Sequence, residues 1–163
     1  MKRTVRKFGG QGGFTMIEIV SVLVIIGIIA AVAIVRMTNT RTYDVISRVE
    51  VVKTHLRLAQ SRAMNSNQIW GINFSDSSTY SMFNNGNTAN VVRLPNQGAD
   101  NVTIPGGVSI TTTTPLIISF DAWGKPYTNA AATAAQSGSR TLTLTKGSDT
   151  GSIEIKQNTG YIP

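Results

Sequence analysis

At 163 residues the chain can hold one ordinary domain and an anchoring segment, and it is too short for two large independent domains. It contains no cysteine, which excludes disulfides and thiolate metal sites. The net charge of +7 is concentrated in residues 1–62, and from Ile69 onward five basic residues meet five acidic ones, so the high pI is no argument for a nucleic-acid-binding domain.

Residues 1–13 are basic and glycine-rich, with Lys2, Arg3, Arg6 and Lys7 and no acid. They read as a flexible cytoplasmic leader. Residues 14–35 come next as an apolar run, FTMIEIVSVLVIIGIIAAVAIV, whose 22 residues make about 33 Å of helix, enough for a bilayer core. The positive charges ahead of it keep the N-terminus inside. A single carboxylate, Glu18, sits at the head of this run.

Beyond Arg36 the apolar run stops, yet no proline or glycine appears before Gly71. Val45, Val49, Val52, Leu56, Ala59 and Ala63 recur at helical spacing with basic residues around them, which predicts an amphipathic continuation over 36–68 packed on the C-terminal part of the chain. The whole reads as one helix from about Phe14 to about Asn67, weakest at TNTRT, residues 38–42, where helix propensity is poor. From residue 69 to 163 the pattern turns to short β-type runs: IWGINFS, TYSMF, NVVRL, VSITTTT, LIISFD, TLTLTK and GSIEIKQ. Turn signals such as NNGN, PGG and KGSDTG separate them, and residues 122–140 read as a long low-complexity surface loop. The fold class is α+β, a long helix on an antiparallel β domain.

The segment around Glu18 resembles the class III leader of type IV pilins and type II secretion pseudopilins: a short basic stretch, glycine, then FTMIE opening an apolar helix. The resemblance implies that a prepilin peptidase cuts between Gly13 and Phe14 and methylates the new amine. It also implies that Glu18 pairs with the terminal amine of a neighbouring subunit in a growing filament. A carboxylate within a bilayer costs about 2.5–3.5 kcal/mol on insertion scales, so it needs such a partner. RAMNSNQIWGINF, ISFDAWGKP and the closing GSIEIKQNTGYIP resemble the minor pseudopilin and minor pilin subfamily called GspH/FimT. That subfamily implies a sandwich-like domain of two small sheets and no terminal disulfide loop. It further implies inner-membrane anchoring, with pilin or pseudopilin subunits and an inner-membrane assembly platform as partners. Many pilins carry a proline in or just past the apolar run; here Val35 and Arg36 stand there, so no proline kink is expected.

Two other functions compete. A DNA-uptake pilus subunit would bind DNA, but the tail NTGYIP lacks the arginine that DNA-binding relatives of this kind carry, leaving only the patch from Arg36 to Arg62. A secretory signal peptide cut after Ala33 has an A-x-A site at Ala31, Val32 and Ala33, but would hold Glu18 within its apolar region. No phosphate loop, metal cluster or nucleophile constellation is present in the sequence, so the chain reads as neither an enzyme nor a cofactor carrier. His55, the one histidine, lacks the partners that a ligand or general base needs. Asp121 and Asp149 fall at turns and are expected to bond local backbone. Of the aromatics, Trp70 and Tyr80 are expected in the strand core, with Trp123 and Tyr127 open to an exposed surface.

Overall fold

The computed structural model describes residues 13–37, 40–114 and 116–163, in a chain that divides into two units, Met1–Asn39 and Thr40–Pro163. Residues 1–12 of the basic leader and residues 38–39 lie outside the described residues. Helical continuity across 38–39, and the first two residues of the expected weak point over 38–42, therefore fall on them; residues 40–42 are helical.

In the first unit, helix α1 spans Met16–Met37. It is the one helix among the described residues long and apolar enough to cross a membrane. Its apolar side chains stand uncovered along the helix, with Leu23 63% and Ile29 62% exposed. An all-round apolar surface without cover inside its own unit is the signature of a helix built for lipid or for other helices.

In the second unit, helix α2 spans Thr40–Ser66. The stripe Val45, Val49, Val52, Leu56, Ala59 and Ala63 is buried throughout, as its spacing predicts. The helix ends where Asn67 takes a left-handed conformation at φ 52°. Near its end side chains also donate back to helix carbonyls: Ser66 Oγ to Arg62 O at 2.7 Å and Asn65 Nδ2 to Ser61 O at 2.8 Å. Trp70 then fastens the helix end to the sheet, its Nε1 donating to Ser66 Oγ at 2.7 Å beneath the Arg62 guanidinium, 5.0 Å from the ring.

Among the described residues nine strands come after it: β1 (Trp70–Phe74), β2 (Thr79–Asn84), β3 (Asn87–Val92), β4 (Asn101–Thr103), β5 (Ser109–Ile110), β6 (Leu116–Phe120), β7 (Pro126–Tyr127), β8 (Arg140–Lys146) and β9 (Asp149–Ile155). They form two antiparallel sheets, one of six strands in the order β3-β2-β1-β6-β7 with β4 also on β2, and one ordered β5-β8-β9. Asn85 and Gly86, both at positive φ, make the two-residue β2–β3 turn that NNGN predicts. The alternation in the strands sets the core. Ile72 faces Met82 and Ile118, Phe74 faces Tyr80 and Leu116, and Leu142 faces Ile153, all buried in one cluster with the α2 stripe.

One expectation fails. Residues 122–140 are more than a surface loop: they contain β7, a bridge between Tyr127 and Ala135, and the buried Gln136, whose Nε2 donates to Ile155 O at 3.0 Å. Asn129 organises the turn, its Oδ1 accepting from the backbone N–H of Thr133 and Ala134, while its own carbonyl accepts from the buried Ser119 hydroxyl at 2.7 Å. Side-chain bonds to backbone order this run where apolar periodicity is lacking. Strand β4, NVT, is likewise absent from the sequence-based strands; it is held by Val102 opposite Tyr80.

Helix α2 packs tightly on the smaller sheet at Gly151. A Cβ there would stand 2.7 Å from Val49 Cγ2 and 3.1 Å from Val45 Cγ1, both on stiff β-branched residues of the helix. Gly151→Ala is expected to lower unfolding free energy by about 1–3 kcal/mol, and Leu56→Ala by about 2–5 kcal/mol, in urea denaturation.

Candidate functional site

The head of α1 is built from a short polar sequence before an apolar one. Gly13 and Phe14 precede the helix, and Thr15 caps it. The Glu18 N–H donates to Thr15 Oγ1 at 3.3 Å and to Thr15 O at 3.1 Å, and the Ile19 N–H to Thr15 O at 3.2 Å. Thr15 and Glu18 have the spacing of a capping box. Only the threonine half of that box is made; among the described residues the Glu18 carboxylate has no hydrogen-bond or ion-pair partner. The one hydroxyl in the next turn, Ser21 Oγ, is satisfied inside the helix by Ile17 O at 2.7 Å. Glu18 is thus an unsatisfied charge at the head of an apolar, exposed run, and Gly13, Phe14 and Glu18 lie within about one and a half turns of chain.

In the second unit many polar residues are engaged within the domain, some in local turns and some across it. Asp121 Oδ1 accepts from the backbone N–H of Trp123 and Lys125, and Oδ2 from the Tyr127 hydroxyl at 3.0 Å, so it is a turn-former as expected. Asp149 opens β9 beside the tight turn at Gly147. Tyr80 is buried and Trp70 packs against the core, while Trp123 is 89% exposed. The C-terminal tail is tied down: Arg57 Nε and Nη2 donate to Ile162 O at 3.1 and 2.9 Å, and Gln60 Nε2 donates to both Thr159 O and Gly124 O at 2.9 Å.

The sequence profile of the family described as Type II transport protein GspH matches residues 49–159, more than half of the chain. The chain belongs to the GspH family. It is a structural, non-catalytic member of the pilin and pseudopilin class, part of a type II secretion or type IV pilus-like system, and its partners are of the kind such systems use. No curated protein matches it significantly. Among solved structures the fold is similar to the type IV minor pilin FimU of Pseudomonas aeruginosa. One crystal form has 16% identity and a TM-score of 0.51 over 74% of this chain and 87% of FimU. A second form has 16% identity and a TM-score of 0.47 over 72% and 89%.

Membership of this family leaves His55 a packing role. The ring is 8% exposed, with Nδ1 2.8 Å from Tyr80 Oη; the hydroxyl donates when the ring carries its proton on Nε2. Burial pushes the imidazole below its ordinary 6.5 and the phenol above its ordinary 10.0, so both are neutral near pH 7. A histidine depressed in the folded state contributes stability that is whole above pH 6.5 and is lost as pH falls through the folded value. The carboxylates held low by hydrogen bonds, Asp44, Glu50, Asp76 and Glu154, lose theirs only below about pH 4.5. Between these limits the unfolding free energy is expected to fall with acid by at most about 1.4 kcal/mol per pH unit, and the slope to vanish in His55→Gln, as followed by denaturation at stepped pH.

Proposed function

We propose that this chain is a minor pseudopilin or minor pilin that a prepilin peptidase cuts between Gly13 and Phe14 and methylates, and that enters a filament through Glu18. The observation that carries the proposal is the Glu18 carboxylate, unpartnered among the described residues in the first turn of a helix with its apolar surface uncovered. Cleavage would place a positive amine on Phe14, one helical turn from Glu18. A second subunit's amine then offers the counter-charge that a carboxylate in lipid requires, at an insertion cost otherwise of about 2.5–3.5 kcal/mol. The pair would fix axial register while apolar helices pack side by side.

On this reading residues 1–13 are the leader, 14–35 the membrane and assembly helix, 36–68 its amphipathic continuation and 69–163 a sandwich-like β domain. The protein sits in the inner membrane with its N-terminus cytoplasmic, and meets the peptidase, sister subunits and the assembly platform. The β domain faces the periplasm or the filament exterior. The rival signal-peptide cut after Ala33 has less support, since it would fall inside α1. DNA binding through the tail has less support too, because the tail is held on α2 by Arg57 and Gln60.

Mass spectrometry of the mature protein is expected to give methylated Phe14 as the first residue; a start at Ile34 would replace this reading with the signal peptide. Glu18→Val is expected to insert in the membrane as well as wild type while its incorporation into filaments, read by crosslinking to sister subunits, drops about ten-fold or more. Normal incorporation would end the proposal.

A further inference from the structure

Arg48 occupies an unusual position on α2. Asp44 lies four residues before it, the spacing at which an acid and an arginine on a helix ordinarily pair. Here Asp44 Oδ2 is taken by Lys146 Nζ, from the end of β8, and Arg48 makes no ion pair among the described residues. Its Nε is buried without a hydrogen-bond partner. A buried donor in that condition is costly, and a charged one more so.

Arg48 borders a cavity of about 170 Å³ between α2, β2 and β4. Val51 and Val52 of the helix, Val102, Ile104 and the Tyr80 ring give it mainly apolar walls, with Gln97 also lining it. No acid lines it, so Arg48 is its sole charge. The volume is below the roughly 300–1,000 Å³ of sites for drug-sized molecules and close to the roughly 150 Å³ of an apolar cavity that holds benzene. It suits one side chain. A bare phosphate would leave the valine walls wet, whereas a carboxylate on a short aliphatic stem covers them and offers two oxygens in the plane of the guanidinium fork. On the other side of Val51, which is itself 37% exposed, lies an open depression of about 230 Å³ lined by Glu50, Thr54 and His55. Two adjoining depressions that share the exposed Val51 make a surface wide enough for a polypeptide, where a free small acid would fill only one of them.

We infer that the Arg48 cavity is a docking socket for an acidic side chain carried by a partner polypeptide, with Arg48 as the recognition residue and the Val51 rim as the surface the partner's backbone covers. The socket belongs to the second unit and does not depend on how Glu18 acts. Loss of one leaves the other testable.

The experiment tracks the backbone amide signal of Val52, which lines the cavity beside Arg48, by NMR in the full-length protein in detergent micelles. Acetyl-Ala-Glu-Ala-amide is expected to shift it saturably and to bind about ten-fold more tightly than the Gln counterpart, sodium acetate or inorganic phosphate. Arg48→Gln is expected to abolish the response with the backbone spectrum unchanged. Arg48→Lys, which keeps the charge without the planar fork and serves if Arg48→Gln fails to fold, is expected to weaken it by a similar factor. Equal binding of the Glu and Gln peptides, equal binding of acetate or phosphate, or full binding by Arg48→Lys would each overturn the inference.

Discussion

The second unit depends on one contact, the burial of the α2 stripe against both sheets. Six side chains at steps of four and three, Val45 to Ala63, supply the helix side of a core whose other side comes from alternate residues of β1, β2, β6, β8 and β9. Seating that stripe orients everything else on the helix. Gln60 and Arg57 reach the tail and the Asp121 turn, His55 meets Tyr80, and Arg48 turns toward β2 and β4. The polar contacts of the domain are therefore consequences of an apolar register, which is why a single Cβ at Gly151 matters more than its size suggests.

Helix α1 obeys the opposite rule. It has no polar face to leave in water and no stripe to bury, and its polar groups are settled locally, Thr15 by capping and Ser21 by its own turn. Glu18, at the head of the apolar run, is left without a partner among the described residues. The contrast between two consecutive helices, one amphipathic and one apolar all round, separates a segment that completes a domain from one that needs a medium or another molecule.

Much of this fold is legible in residue order, and the reasons differ by element. The α2 stripe is readable because a helix repeats its buried face every three or four positions, and the hairpin at Asn85–Gly86 because its turn demands positive φ. The head of α1 is readable because its chemistry is contiguous: glycine, phenylalanine and glutamate within six residues. Strands β4 and β7 are not, since two or three residues carry no periodicity and are strands only by virtue of their partners. The order in 122–140 rests on Asn129 and Gln136, polar residues whose bonds composition does not announce. Nor is the Arg48 cavity visible in the sequence. The arginine beside it makes no ion pair among the described residues, and the acid four positions before it is held by a lysine 102 positions away.

The end of the larger sheet at β7 bears on how such molecules tolerate crowding. That strand is two residues long, one of them Pro126, which has no N–H to offer, and Tyr127 is bridged to Ala135 from the folded-back loop. A second copy arriving edge-on there meets almost no free ladder to lengthen, so runaway strand-on-strand growth is blocked at this margin. Copies concentrated side by side can then associate through helices and side chains while their sheets stay separate.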